Sequence, residues 1–146
     1  MIESRIYLDA NVFIYAIEGG DDISSLLRRL FDLFGQNRGV GVTSELTLAE
    51  VLPKATQGQR RTYLNLIVWS RVFDLQPVNR DVLIETAEYR RTAGNPKLPD
   101  AIHAVTAIRG ECRTVVSSDS RLRLPTGFTV LTPNRENFSR LIQDLS

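Results

Sequence analysis

The order of apolar and turn-forming segments along the chain predicts a three-layer α/β/α sandwich with a mainly parallel central sheet of about five strands. Short apolar runs typical of buried strands alternate with longer segments whose apolar residues recur at helical spacing. No internal repeat, low-complexity tract or linker interrupts the 146 residues, a length typical of one domain. We therefore expect a single domain over residues 1–146.

The first half of the chain predicts two strands and four helices. Residues 5–9 and 40–42 are short apolar runs typical of strands. One helix starts at Asn11 and ends near Gly19-Gly20. Asp22 and Ser44 are expected N-caps of the next two helices, and Pro53 should disturb the second of these near its end. A further helix is expected over residues 59–70, and its inward-facing candidates are Tyr63, Leu66, Ile67 and, as a further possibility, Trp69.

The second half continues the alternation with three strands and three helices. Strands are expected over residues 72–75, 114–116 and 128–131. Asn79 is expected to cap a helix over residues 82–92, which Gly94 ends. Pro99 opens the next helix, over residues 100–109, and Gly110 closes it. A terminal helix is expected from about residue 135 to 143.

Four carboxylates fall where these elements would present them at one edge of the sheet. They are Asp9, Glu50, Asp100 and Asp119. Ligands of open parallel sheets bind beyond the carboxyl ends of the strands, which is where Asp9 and Asp119 are expected. Four like charges repel one another unless a cation lies among them, and carboxylates favour a hard ion such as Mg²⁺ or Mn²⁺. A metal ion among carboxylates can activate water for phosphodiester hydrolysis.

The four acids are expected to have different roles. Asp9 and Asp100 are the candidates for direct metal ligation, because a strand end and a helix start fix their backbones. Glu50 could contact the metal through water or act as a general base. For Asp100, a favourable position in the helix dipole is the structural alternative. For Glu50 and Asp119 the alternatives are a solvated helical glutamate and a turn-forming acid.

Three polar neighbours could support these acids. Asn11 could orient the Asp9 carboxylate or a metal-bound water, and Ser117 and Ser118 could add a hydroxyl at the site. Helix capping and turn formation explain the same residues equally well. His103 lies three residues after Asp100, where it could pair with that acid. We interpret it as a packed or surface histidine and leave it outside the catalytic set.

Composition excludes several classes of protein and chemistry. Cys112 is the only cysteine, so no intrachain disulfide can form, and the single histidine excludes a two-histidine acid–base pair. The sequence contains no apolar stretch of membrane-spanning length, and we expect a cytoplasmic protein that does not associate with membranes. All of the 18 basic residues except Lys54 and Lys97 are arginines. Arginine suits phosphate contacts, but genomic base composition produces the same bias.

The segments around the four acids resemble the successive motifs of a known family. They are LDANVFIY (8–15), TLAEV (47–51), LPDAIHAVTA (98–107) and VSSD (116–119). These segments are similar to the motifs of PIN-domain ribonucleases, above all to those of VapC-type toxins of bacterial and archaeal toxin–antitoxin pairs. The resemblance runs from about residue 5 to about residue 131. It implies a Mg²⁺- or Mn²⁺-dependent endoribonuclease that is usually homodimeric and is held inactive by an antitoxin.

Three other functions compete with an endoribonuclease. A receiver-like domain phosphorylated on Asp9 is disfavoured, because Asn11 replaces a second acid and neither Lys54 nor Lys97 falls at a suitable position. A non-catalytic RNA-binding PIN-like scaffold is disfavoured by the intact set of four acids. A DNA or structure-specific nuclease would use the same metal chemistry.

Overall fold

Five short strands pair into one all-parallel sheet in the computed structural model, which describes residues 4–146. The strands are β1 (Ile6–Leu8), β2 (Gly41–Ser44), β3 (Asp74–Gln76), β4 (Thr114–Val116) and β5 (Thr129–Leu131). Their order across the sheet is β3-β2-β1-β4-β5. The central strand β1 pairs Tyr7 with Val42 on one side and with Val115 on the other. The strand order therefore reverses at β1, so that the crevice between β1 and β4 is the expected ligand position.

Seven helices flank the sheet within residues 4–146. They are α1 (Ala10–Glu18), α2 (Asp21–Gln36), α3 (Leu46–Val51), α4 (Gln57–Leu64), α5 (Arg80–Thr92), α6 (Leu98–Arg109) and α7 (Arg135–Leu145). A π-helical turn, Asn65–Trp69, continues α4. The predicted three-layer α/β/α sandwich with a parallel sheet is therefore confirmed.

Successive residues of β1 pack against the two opposite layers. Ile6 and Leu8 belong to the core that contains the aromatic residues of α1 and α2, while Tyr7 packs with Ala104 and Ala107 of α6. This alternation is the period of two that a strand imposes on its side chains. The small alanines let α6 lie close to the sheet, which brings the first turn of α6 near the carboxyl end of β1.

Most predicted boundaries agree with the structure, and three local predictions are wrong. Ser44 is the last residue of β2 and Glu45 occupies the cap position of α3, although the Ser44 hydroxyl accepts from the N–H of Leu46 (3.0 Å). Asn79 caps α5 by accepting a hydrogen bond from the N–H of Val82, as expected. Asp22 is not an N-cap, because α2 begins one residue before it and Gly20 occupies the cap position. Trp69 is 60% exposed rather than inward-facing. The π-helical turn rotates the end of this helix relative to the α-helical phase on which that prediction depended.

None of the helices within residues 4–146 has both the length and the apolar composition that crossing a membrane requires.

Candidate active site

Asp9 lies between the carboxyl end of β1 and the first turn of α1. It is the N-cap of α1, and its Oδ1 accepts a hydrogen bond from the N–H of Asn11 (3.0 Å). Its Oδ2 accepts a second one from the N–H of Ser118 (3.1 Å), which follows β4. Burial raises the pKa of the Asp9 carboxyl, although these two N–H groups and the nearby His103 oppose the increase. Asp9 is thus a buried carboxylate held from two sides.

The segment after β4 closes the site on the other side. The side-chain amide of Asn11 donates to the hydroxyl of Ser118 (2.8 Å), and this bond joins the start of α1 to the segment. The Ser117 hydroxyl accepts from the N–H of Asp119 (3.1 Å), and Asp119 Oδ1 accepts from the N–H of Arg121 (3.0 Å). Asp119 is therefore a turn-forming acid, and the same turn carries it into the site.

Asp100 occupies the first turn of α6, where Pro99 also lies. Burial raises the pKa of its carboxyl, and the negative charge of Asp119 raises it further. Glu50 acts in the same direction, whereas His103 and Lys97 oppose it. Asp100 is therefore close enough to two other predicted site acids to repel them electrostatically.

Glu50, on α3, is held by the histidine that we left outside the catalytic set. Its Oε1 lies 2.5 Å from Nε2 of His103, whose Nδ1 lies 2.5 Å from the hydroxyl of Tyr7. The alternative pairing of His103 with Asp100 is not formed; Glu50, 53 residues earlier in the chain, is its carboxylate partner. His103 is buried, as the interpretation of a packed residue predicted. Its contact with Glu50 was not predicted.

An open pocket of about 670 Å³ brings most of the predicted residues together. Its walls include Asp9, Asn11, Asp100, Ser118 and Asp119. Glu50 is not part of these walls and is connected to them through His103 and the charges described above. The pocket also has three cationic residues in its lining, Lys97, Arg121 and Arg123, which form its basic rim.

The basic rim was missed because nothing in the local sequence distinguishes these cations from other surface residues. The turn that follows Asp119 carries Arg121 and Arg123 to the pocket. The hydroxyl of Tyr89, on α5, donates to the carbonyl of Arg123 (2.8 Å) and anchors this segment. This hydrogen bond fixes the backbone of Arg123 beside the pocket.

The donor chemistry of the pocket fits a hard divalent cation. Among residues 4–146 no three His, Cys, Asp or Glu side chains are close enough to enclose a metal. Mg²⁺ is usually bound by one or two carboxylates and completes its shell with water and phosphate oxygens, which this open pocket would admit. The mutual repulsion between Asp100 and Asp119 is the charge imbalance that such an ion would relieve.

The acidic pocket lies at the strand-order reversal, where α/β domains with parallel sheets bind their ligands. The sequence matches the family model of the PIN domain over residues 6–125, and the chain belongs to this family. This match agrees with the resemblance carried by the four motifs.

Comparisons with individual proteins show a shared fold but give less specific information than the family model. The structure is similar to that of FitAcB from Neisseria gonorrhoeae, with a TM-score of 0.55 and 19% sequence identity. The alignment covers 88% of this chain and 97% of that one, so that the two share a fold over nearly their whole lengths. No curated protein matches the sequence significantly.

Proposed function

We propose that the protein is a metal-dependent endoribonuclease that hydrolyses RNA phosphodiester bonds and acts as the toxin of a toxin–antitoxin pair. The observation that carries the proposal is the pocket in which Asp9, Asp100 and Asp119 face a rim of lysine and arginine. PIN domains are typically metal-dependent nucleases, which agrees with this arrangement.

We assign different roles to the acids and to the basic rim. Asp9 and Asp100 would hold Mg²⁺ or Mn²⁺. The bound cation would lower the pKa of a water molecule and neutralise charge that develops on the phosphate. Asn11 and Ser118 keep Asp9 oriented through the hydrogen bonds described above.

The remaining steps involve the chain's own side chains. The oxygen of the water attacks phosphorus, the bond from phosphorus to the leaving ribose oxygen breaks, and Glu50 accepts the proton that the water loses. The basic rim binds neighbouring phosphates and fixes the backbone of the substrate across the pocket. Asp119 keeps negative charge opposite Asp100 and so favours cation binding.

An antitoxin would inhibit by placing a basic side chain in the acidic pocket. Such a side chain would compete with the metal for the same carboxylate oxygens. A second cavity, of about 590 Å³ among α1, α2, α4 and the π-helical turn, would receive apolar anchors of the same partner. Its apolar walls include Ile17, Phe31 and Leu66.

A homodimer is the oligomeric state that we propose, and α5 supports it. Leu83 and Ile84 on this helix are 48% and 62% exposed, which is typical of side chains that a second chain covers. Light scattering should give a dimer for the wild type and a monomer for Ile84→Lys. A wild-type monomer would contradict this part of the proposal.

A cleavage assay on three substrates tests the function itself. Purified protein with Mg²⁺ should cut RNA and leave single-stranded and flap DNA intact. Preferential cutting of DNA would favour the structure-specific nuclease, and binding of RNA without cutting would favour the non-catalytic scaffold. Asp9→Asn is the control for a contaminating nuclease.

A further inference from the structure

A buried chain of three side chains connects the central strand to Glu50. Tyr7 lies on β1, His103 on α6 and Glu50 on α3, so that three separate elements contribute to it. Both links, from the Tyr7 hydroxyl to Nδ1 and from Nε2 to Glu50 Oε1, are 2.5 Å long. Tyr7 is fully buried and His103 is 5% exposed, whereas 30% of the Glu50 side chain is exposed. The hydrogen-bonded side chains thus run from Tyr7 in the core outward to Glu50, the one of the three that reaches solvent.

Hydrogen-bonding rules assign a direction to each link. An ionised carboxylate only accepts hydrogen bonds, so Nε2 of His103 must donate to Glu50. The second nitrogen of a neutral imidazole is then an acceptor, and the Tyr7 hydroxyl donates to it. The chain therefore fixes one tautomer of the imidazole.

Packing alone does not explain a histidine at this position. The neighbouring α6 residues Ile102, Ala104 and Val105 are apolar and buried, whereas His103 contacts a hydroxyl and a carboxylate. A buried imidazole must have both nitrogens paired to avoid the desolvation cost of an unsatisfied polar atom. Both are paired, and one of the two partners is a predicted site acid.

The backbone that carries Glu50 is also fixed from the sheet. The Thr43 hydroxyl donates to the carbonyl of Leu8 (2.7 Å) and lies 2.9 Å from the hydroxyl of Thr47. Thr47 is in the first turn of α3, a helix of only six residues that depends on tertiary contacts for its stability. These bonds fix the backbone of α3, but the torsions of the Glu50 side chain remain free unless another group holds its carboxylate.

We propose that His103 is a positioning residue that holds the Glu50 carboxylate for proton transfer, and that Tyr7 sets the tautomer in which His103 does so. This inference rests on the proposed nuclease function. Proton transfer requires the base within hydrogen-bond reach of the reacting water, and a mobile glutamate meets that requirement only part of the time. Oε1 accepts the hydrogen bond from His103, and the carboxylate keeps further lone pairs that can receive the proton.

The tautomer can be measured without nuclease activity. His103 is the only histidine, so long-range ¹H–¹⁵N spectra of the uniformly labelled protein report on this ring alone. We expect the ring to carry a proton on Nε2, where it faces Glu50, and expect this single tautomer to be lost in Tyr7→Phe. A ring protonated on Nδ1, or one that exchanges freely between tautomers in the wild type, would overturn the inference.

Kinetics of matched variants test the positioning role. Tyr7→Phe removes the hydroxyl that binds His103, and Tyr63→Phe removes the hydroxyl of another fully buried tyrosine, which binds Glu18 outside the site. We expect Tyr7→Phe to lower kcat about tenfold with KM and Mn²⁺ affinity unchanged, and Tyr63→Phe to leave kcat unchanged. Equal kcat values for the two variants would overturn the inference.

Rescue by an isosteric donor completes the test. The amide of His103→Gln can donate to Glu50 from nearly the position of Nε2, whereas His103→Leu cannot. We expect the Gln variant to retain more activity than the Leu variant, provided that Glu50 is present. Equal activities in two folded variants would overturn the role of His103. A wild-type protein that does not cut RNA would instead overturn the proposed function, while the spectra would still decide whether the hydrogen-bonded chain exists.

Discussion

The backbone N–H of Ser118 donates a hydrogen bond to Oδ2 of Asp9, a residue 109 positions earlier in the chain. This bond joins the segments that follow the neighbouring strands β1 and β4. It therefore couples the position of the most buried site acid to the turn that carries Asp119. Replacing Asp9, whose side chain accepts this bond, should disturb the chemistry of the pocket more than the fold.

Asp9→Asn should abolish RNA cleavage and leave the fold intact. Loss of a metal ligand removes several kcal/mol of transition-state stabilisation, so we expect kcat/KM to fall by about 10²-fold or more. In the presence of chelator, Asp9→Asn has two opposite effects on the free energy of unfolding. It removes the cost of burying a charge, but the side-chain amide is a poorer acceptor for one of the two backbone N–H groups. Asp22→Asn, at an exposed acid of α2, is the matched control. Full activity of Asp9→Asn would remove Asp9 from the ligand set.

The stability of the metal-free protein should decrease as the pH rises. Burial raises the pKa values of Asp9 and Asp100 above the ordinary 3.8, so the folded state binds protons more tightly than the unfolded state. The resulting stabilisation is complete below pH 3.8 and is lost as the pH rises through the higher folded pKa values.

Denaturant titrations in chelator can check this sign. The free energy of unfolding of the wild type, relative to that of Asp9→Asn/Asp100→Asn, should decrease between about pH 4 and pH 7. The comparison with the double variant cancels the contributions of other titrating groups. A constant or increasing difference would show that burial does not control these carboxyls.

Removing the two arginines of the rim should weaken RNA binding in a salt-dependent manner. Each phosphate contact to a single strand contributes about 0.7 to the slope of log K against log salt concentration. Arg121→Ala/Arg123→Ala should therefore reduce this slope by up to about twice that amount, in an Asp9→Asn background that prevents cleavage. Arg140→Ala, on α7 and outside the pocket, is the matched control. Equal slopes for both proteins would exclude the rim from the RNA-binding surface.

Binding of the cognate antitoxin should depend on the site acids. Close charge pairs in protein interfaces contribute about 1.5–7 kcal/mol, so Asp9→Asn/Asp100→Asn should weaken the complex by at least about tenfold. Calorimetry on this variant and on Asp22→Asn would measure the difference. Unchanged affinity would place the inhibitor elsewhere, on the RNA path or on the dimer surface.

The sequence predicted those features that depend on local pattern. The end of a buried strand placed Asp9 correctly, and Pro99 and Gly110 delimited the helix that carries Asp100. Contacts between residues that are far apart in the sequence have no comparable local pattern. Nothing near Glu50 indicates that it meets His103, and nothing near Arg123 indicates that Tyr89 anchors its carbonyl. The prediction that Trp69 faces inward was wrong for a related reason. A π-helical turn changes the face on which the later residues of the helix lie.

Cleavage of RNA in the presence and absence of divalent metal tests the central claim most directly. Purified wild-type protein should cut a defined RNA with Mg²⁺, stop when a chelator is added, and resume when Mn²⁺ is supplied in excess. Asp9→Asn, assayed in parallel, should show no cleavage under any of these conditions. Cleavage by the wild type that continues undiminished in chelator would contradict the account.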